Sequence, residues 1–307
     1  MRIATNLLTL LLPVLASSTL LVDYTAPADT SVLGTCQLEA AELHDTVPCP
    51  GNANVYIKPG QDTSGKAALH YHREAGFRRA EVKAAGTYTA GKHYYAGYEF
   101  TLGNVHEHLA IFQWKNGLAS AQSGGDQDIV FNLQFTESLP TRLSLGYTPP
   151  GGDDYETIWT DSSGFSTTTT HNIALAWDTL PGGNNNVQLW LDGQKVFEKG
   201  GLSLWSGDVY PKFGIYRGEK GDHDTPGESN VFDLWVYKVQ ISDASLDEVS
   251  GASGLGAGVS ADVVGGGGPL VPTATGSDLP AASGLTTSYT ATTSSQKPLK
   301  MHFFRSG

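Results

Sequence analysis

Residues 189–197 read Leu-Trp-Leu-Asp-Gly-Gln-Lys-Val-Phe (LWLDGQKVF). Asp192-Gly193 suits a two-residue turn whose central residues both take positive φ, and aromatic and branched residues flank it, so the stretch predicts a β-hairpin. Outward from it, between Ala67 and Ile241, the chain repeats this texture in short segments such as HLAIFQWKN, DIVFNLQFTE, TRLSLGYT, HNIALAWDT, YPKFGIYRG and NVFDLWVYKVQIS. Each is apolar on alternate residues and bounded by turn residues, and none keeps a helical period. Many antiparallel strands with one apolar face predict an all-β fold, a jelly-roll sandwich of two packed sheets with a concave groove.

The two ends of the chain read differently. Residues 1–18 (MRIATNLLTLLLPVLASS) carry an Arg, an apolar run and then small residues, which predicts a secretory signal peptide. Residues 250–307 are dominated at first by Gly, Ser, Ala, Thr and Pro, and such a stretch buries too little apolar surface to offset its ordering entropy, so a disordered low-complexity tail is expected. One domain, residues 19–249, remains between them. No other apolar run approaches the length of a membrane span. In a secreted chain the only cysteines, Cys36 and Cys49, predict a disulfide.

The formal net charge is −12, which argues against a nucleic-acid partner. The positive charge is nevertheless concentrated: Lys66, Arg73, Arg78, Arg79 and Lys83 fall within one short stretch, with His70 and His72 among them. A local positive cleft on an acidic protein is physically reasonable because clefts focus the field and salt screens the rest.

Alternation sorts the candidate residues onto faces. In YPKFGIYR, Tyr210, Lys212, Gly214 and Tyr216 share a face while Pro211, Phe213 and Ile215 take the other. Gly214 would leave room for a ligand against the backbone. Arg79, Glu81 and Lys83 share a face, as do Gln113 and Lys115, and Asn132 and Gln134 oppose Phe131, Leu133 and Phe135. Amides, cations and phenols together suit an anionic sugar chain.

Three of these stretches carry a resemblance. Arg79-Ala80-Glu81-Val82-Lys83 resembles the R-x-E-[LV]-[RK] strand of the jelly-roll alginate lyases, Gln113 falls in a strand like their Q-x-H motif, and YPKFGIY looks like their Y-x-K-x-G-x-Y strand. The order and texture of the motifs, over about Cys36 to Ile241, are most similar to the fungal glucuronan lyases of polysaccharide lyase family 20. Lys115 stands where the alginate lyases have a His, so that role does not carry over, and His72 or His70 would have to supply an imidazole.

The resemblance implies β-elimination on a uronate. Gln113 and Arg79 would neutralise the substrate carboxylate, the electrostatic part of such catalysis. Tyr216 would take the C5 proton as phenolate and return it to the leaving O4, with nearby cations favouring the ionised form; His72 is the rival base. Tyr210, Lys212, Lys83, Lys115, Asn132 and Gln134 would bind the chain. Related sandwiches often hold a structural calcium, for which Asp233 and Glu39 are the candidate carboxylates; the chemistry itself needs no cofactor. The His106-Glu107-His108 run reads as a surface turn rather than a metal site. Polyglucuronate is the expected partner of a monomer that binds neither nucleic acid nor membrane, with alginate or another uronate polymer as alternatives. A glycoside hydrolase would need paired carboxylates across the scissile bond, and the E-x-D-x-x-E strand is absent. A non-catalytic, concanavalin-like carbohydrate-binding protein would use the same groove without reacting.

Overall fold

The computed structural model describes residues 20–41, 45–117, 129–136, 141–151, 155–217, 231–256 and 259. The predicted leader and nearly all of the predicted tail lie outside these residues. The fold is the expected one: two antiparallel sheets face each other, with strands β1 to β16 numbered in chain order.

The first sheet runs β14 (Gln194–Leu202), β13 (Asn185–Leu191), β12 (His171–Asp178), β7 (His93–Leu102), β16 (Phe232–Ser242), β5 (Ala67–Arg73) and β4 (Val55–Gln61), with β1 (Val22–Thr25) paired to β16. The second runs β11 (Glu156–Thr160), β10 (Leu143–Tyr147), β9 (Ile129–Phe135), β8 (Ala110–Asn116), β15 (Val209–Tyr216), β6 (Phe77–Ala84), β2 (Gly34–Ala40) and β3 (Thr46–Val47). The β13–β14 hairpin turns at Asp192 and Gly193, with φ of 50° and 80°, the geometry the sequence predicts. The strands before Ala67 give little sequence signal for physical reasons. β4 carries Pro59 and Gly60 and is tolerated as a sheet edge, and β1 is only a short strip completed by its pairing with β16.

The sheets hold between them an aromatic layer. Trp114 and Trp177 meet edge to face with centroids 5.1 Å apart, Phe112 and Phe213 at 5.2 Å, and Tyr98 and Phe213 at 5.1 Å. All are buried, and each such side chain contributes roughly 2–3 kcal/mol by leaving water. The Trp114 indole N–H donates to the Leu204 carbonyl, so burying it leaves no orphaned donor. Cys36 of β2 is bonded to Cys49, as expected.

HYHREAGFRRAEVKA, which reads as one strand region, contains two strands in different sheets. β5 ends at Arg73, the chain turns through Gly76 at φ 83°, and β6 begins at Phe77 in the facing sheet. Tyr71 and Ala80 both point inward and are fully buried. His70 and His72, alternating with Tyr71, therefore face outward from the first sheet, whereas Arg79 and Glu81, flanking Ala80, face outward from the second.

Two further differences from the sequence reading follow from contacts between elements. Packed chain continues past residue 249: after α2 (Ser250–Ser253), Leu255 joins Tyr95 and Trp190 in a small apolar cluster on the outside of the first sheet, and Val259 packs against it. Composition conceals this because two apolar side chains suffice when a sheet face waits for them. Gly214, in turn, makes no room for a ligand. At φ 140° a Cβ there would stand 2.4 Å from the Ala80 carbonyl oxygen, 2.8 Å from Glu81 Cα and 3.1 Å from Tyr71 Cδ1. The glycine is required by the approach of β6 and by a bulge where the β15–β8 register shifts between Phe213 and Tyr216. Gly214→Ala is therefore expected to destabilise the protein by about 2–4 kcal/mol, read as a lowered chemical-denaturation midpoint; an unchanged midpoint would refute this reading.

Candidate active site

The register of the second sheet assembles the polar face. Lys212 of β15 pairs with Lys83 of β6 on one side and Gln113 of β8 on the other, and Tyr216 pairs with Arg79. Gln113 pairs onward with Asn132, and Asn132 with Gly146. Arg79, Glu81, Lys83, Tyr210, Lys212, Tyr216, Gln113, Lys115, Asn132 and Gln134 thus lie on the outer face of one sheet, opposite the core side chains.

Two clusters stand along this face. The first surrounds Tyr216. Arg78 Nη2 donates to its hydroxyl at 3.2 Å, and the Arg79 guanidinium lies 4.9 Å from its ring centroid. Arg79 Nε is 2.7 Å from Glu39 Oε2 and Arg79 Nη1 is 3.6 Å from Glu81 Oε2, while Arg78 Nη1 is 3.3 Å from Glu39 Oε1. Burial pushes the Tyr216 phenol above its ordinary value, against the pull of Arg78 and Arg79 in the other direction. The expected lowering by cations is thus outweighed, and at neutral pH the phenol holds its proton.

The second cluster surrounds Lys212, which is only 1% exposed. Burial lowers its pKa to about 8; Glu81 opposes the shift with its Oε2 at 3.5 Å, and Arg79 and Lys115 reinforce it. Gln113 is 1% exposed and its Nε2 has no hydrogen-bond partner, so an amide donor lies unused beside a buried ammonium. An unpaired buried donor costs about 1–3 kcal/mol, which an arriving acceptor recovers. Lys83 lies 3.8 Å over the Tyr210 ring. Gln134 accepts from Asn132 at 3.1 Å, and Asn132 accepts from the Tyr155 hydroxyl at 2.9 Å.

The sequence expectation put Arg79, Gln113 and Tyr216 around one ring, and the register separates them. Arg79 is the direct neighbour of Tyr216, whereas Tyr216 pairs with Ala110, three residues before Gln113, about 10 Å of strand. The bulge at Gly214 shortens the offset by one residue, since the four residues from Lys212 to Tyr216 span only the three from Gln113 to Ala110, and no single-strand pattern announces it.

His72 is not in this face. It lies outside the first sheet with Nδ1 2.7 Å from Asp233 Oδ1, so it does not reach a substrate beside Tyr216. Asp233 and Glu39, named together as calcium carboxylates, also lie on different sheets: Asp233 on β16 faces two imidazoles and Glu39 on β2 binds Arg78 and Arg79. The donors around Asp233, two ring nitrogens and one carboxylate oxygen, do not fit a cation that selects oxygen. His106, Glu107 and His108 form the turn before β8, as read from sequence, with His106 Nδ1 2.8 Å from Arg217 Nη2.

Three residues of this face escape the sequence reading. Arg78 is adjacent to Arg79 and should face away by alternation, but it stands at the strand end, beside a register shift in the β2–β6 pairing, where its side chain reaches Tyr216. Glu39 comes from β2, a strand that the sequence hides. Tyr155 lies across Gly146, with which a Cβ would collide at 1.7 Å from its hydroxyl oxygen. Gly146 in LSLGYT was the available signal for that aromatic.

The antiparallel order of the two facing sheets is that of a jelly-roll sandwich. Among solved structures the chain is similar to the endo-β-1,4-glucuronan lyase from the fungus Trichoderma reesei, with a TM-score of 0.52 and 17% identity over 71% of this chain and 98% of that one. It is also similar to an alginate lyase of polysaccharide lyase family 7 from Zobellia galactanivorans (TM-score 0.44, 15% identity, 69% and 98% covered) and to an alginate lyase from Pseudomonas aeruginosa (0.47, 12%, 68% and 98%). No protein-family model and no curated protein sequence matches the chain.

The lowered pKa of Lys212 has a consequence for binding. As pH rises through about 8 the folded protein loses this proton, and with it one positive charge from the face. The Kd for an anionic polysaccharide is expected to rise above that pH. Lys212→Arg, which stays charged, should remove the alkaline rise in Kd; a Kd flat to pH 10 in the parent protein would contradict the assignment.

Proposed function

We propose that this protein is a polysaccharide lyase, acting outside the cell on a β-1,4-linked polyglucuronate by endo-type β-elimination. The observation that carries the reading is the pairing of Tyr216 with Arg79, a phenol and a guanidinium on adjacent strands of a cation-lined face. The fold shared with the fungal glucuronan lyase supports it, and the Cys36–Cys49 bridge suits an oxidising compartment.

In this mechanism Arg79 faces the carboxylate of the reacting uronate and stabilises the charge that builds there as C5 loses its proton. The minor ionised fraction of Tyr216 takes that proton as phenolate, the C5 electrons form the C4–C5 double bond, and the C4–O4 bond breaks. The new phenol then returns its proton to O4. In β-1,4-linked D-glucuronate the hydrogen and the oxygen leave from the same side, so one group between them serves both steps. Gln113, Lys212 and Asn132, about 10 Å along the groove, engage a neighbouring part of the chain.

The assay is incubation with polyglucuronate, and with alginate in parallel, while following the ultraviolet absorbance of the unsaturated product. Tyr216→Phe is expected to lower kcat by about 10²–10⁴ with folding retained. Gln113→Ala, which removes a binding donor, should act mainly on KM. Binding of polyglucuronate without any unsaturated product would favour a non-catalytic carbohydrate-binding protein, and near-normal turnover in Tyr216→Phe would remove the phenol from the chemistry.

A further inference from the structure

The outer face of the first sheet carries a second cluster that the lyase reading leaves unused. β5 and β16 are antiparallel neighbours in which His72 pairs with Asp233 and His70 with Trp235. Because residues two apart on a strand share a face, both imidazoles project beside the carboxylate. Asp233 Oδ1 stands 2.7 Å from His70 Nε2 and 2.7 Å from His72 Nδ1, and the three candidate donor atoms all lie within 4.8 Å of one another.

We propose that His70 Nε2, His72 Nδ1 and Asp233 Oδ1 bind one divalent transition-metal ion of the zinc class. Two ring nitrogens and one carboxylate oxygen suit a borderline ion, whereas calcium takes six to eight oxygens and magnesium an oxygen octahedron. With metal–ligand bonds of about 2.0–2.2 Å, tetrahedral donors sit a little over 3 Å apart, so the present 2.7 Å contacts need to open by roughly half an ångström.

Both rings are already held in position. His72 stacks on Tyr56 with centroids 4.7 Å apart and planes 18° apart, and His70 stacks on Trp235 at 5.1 Å and 17°. Their remaining nitrogens face oxygens: His70 Nδ1 is 3.3 Å from Tyr56 Oη, and His72 Nε2 is 3.8 Å from Glu74 Oε1. This is the outer-shell arrangement of metal-bound histidines, in which the second N–H points to an oxygen and fixes the tautomer.

Without a metal that tautomer is awkward. If both neutral imidazoles donate to Asp233, His72 Nε2 turns a lone pair toward the Glu74 carboxylate. A divalent ion between the rings and Asp233 moves each proton to the far nitrogen, where the Tyr56 hydroxyl lies within hydrogen-bond distance of His70 and the Glu74 carboxylate, at 3.8 Å, attracts the His72 N–H electrostatically.

Three protein ligands leave a fourth position open. Asp233 and Trp235 also form a wall of a cavity of about 570 Å³ whose other walls include Asp62, Thr101, Asn104 and Thr170. Asp233 thus belongs both to the proposed site and to the wall of this cavity, on the opposite outer face from Tyr216.

The test is calorimetric titration of zinc chloride into the full, untagged, chelator-treated chain, with calcium chloride as the control. One equivalent of zinc is expected at this site. His70→Gln and Asp233→Asn are each expected to weaken it at least tenfold, and calcium should give no matching isotherm. Retention of the same zinc affinity in a folded His70→Gln/His72→Gln variant, or no stoichiometric uptake by the parent protein, would overturn the proposal. Should the variants fail to fold, cobalt(II) added to the parent chain decides: a strong tetrahedral visible spectrum supports the site, and a weak octahedral spectrum or none overturns it.

Discussion

Everything placed on the outer faces depends on the aromatic layer within. Phe213 and Ile215 of β15, Phe112 and Trp114 of β8, and Ala80 and Val82 of β6 must all face Tyr71, Tyr98 and Trp177 across the sandwich. Because strand side chains alternate with a period of two, burying this set leaves no choice about the others. A slip of one residue in β15 would turn Phe213 to water and Lys212 into the core. The energy of burying large aromatics therefore fixes, at no separate cost, which charged groups stand together outside.

That coupling explains what could be read from the sequence. Within a strand the face of a residue follows from its neighbours, so Arg79, Lys83, Gln113, Asn132, Lys212 and Tyr216 were legible as one surface, and the hairpin at Asp192-Gly193 was legible in its own right. What lay between strands was not. Nothing local distinguishes HYHREAG continuing beside FRRAEVK from the chain crossing to the other sheet, yet that difference moves His72 from the cation-lined face of the second sheet to the outer face of the first. Gly214 looks like a gap for a ligand until the β6 backbone is seen at its missing Cβ. Glu39 and Tyr155 enter the groove from segments whose strands or turns carry weak patterns, so only the register reveals them.

The electrostatics follow the same division between local and global. A chain of net charge −12 presents Arg78, Arg79, Lys83, Lys115 and Lys212 on one sheet face. These cations are not left bare: Glu39 and Glu81 accept ion pairs from the arginines, and Glu81 also faces Lys212. Such tethers fix the guanidinium planes and temper the repulsion among like charges, which already lowers the hold of Lys212 on its proton. The arrangement keeps a positive face organised on a protein that would otherwise repel an anionic polymer, and screening limits the remaining negative charge to short range.

The state of Tyr216 shows how such tethers bear on the proposed chemistry. Arg78 and Arg79 both favour its phenolate, yet burial prevails, in part because the same guanidiniums are shared with Glu39 and the nearby Glu81 acts against ionisation. A uronate carboxylate entering beside Arg79 competes with Glu39 for one donor set and adds a further negative charge next to the phenol. By Coulomb's law alone that charge holds the phenolic proton more tightly. In the minor fraction where Tyr216 is ionised, proton removal from C5 relieves the site, because charge moves from the phenolate toward a carboxylate that the guanidinium already faces. On this view the arginines act less by ionising Tyr216 in the resting protein than by receiving the charge it passes on, which is stabilisation confined to the transition state.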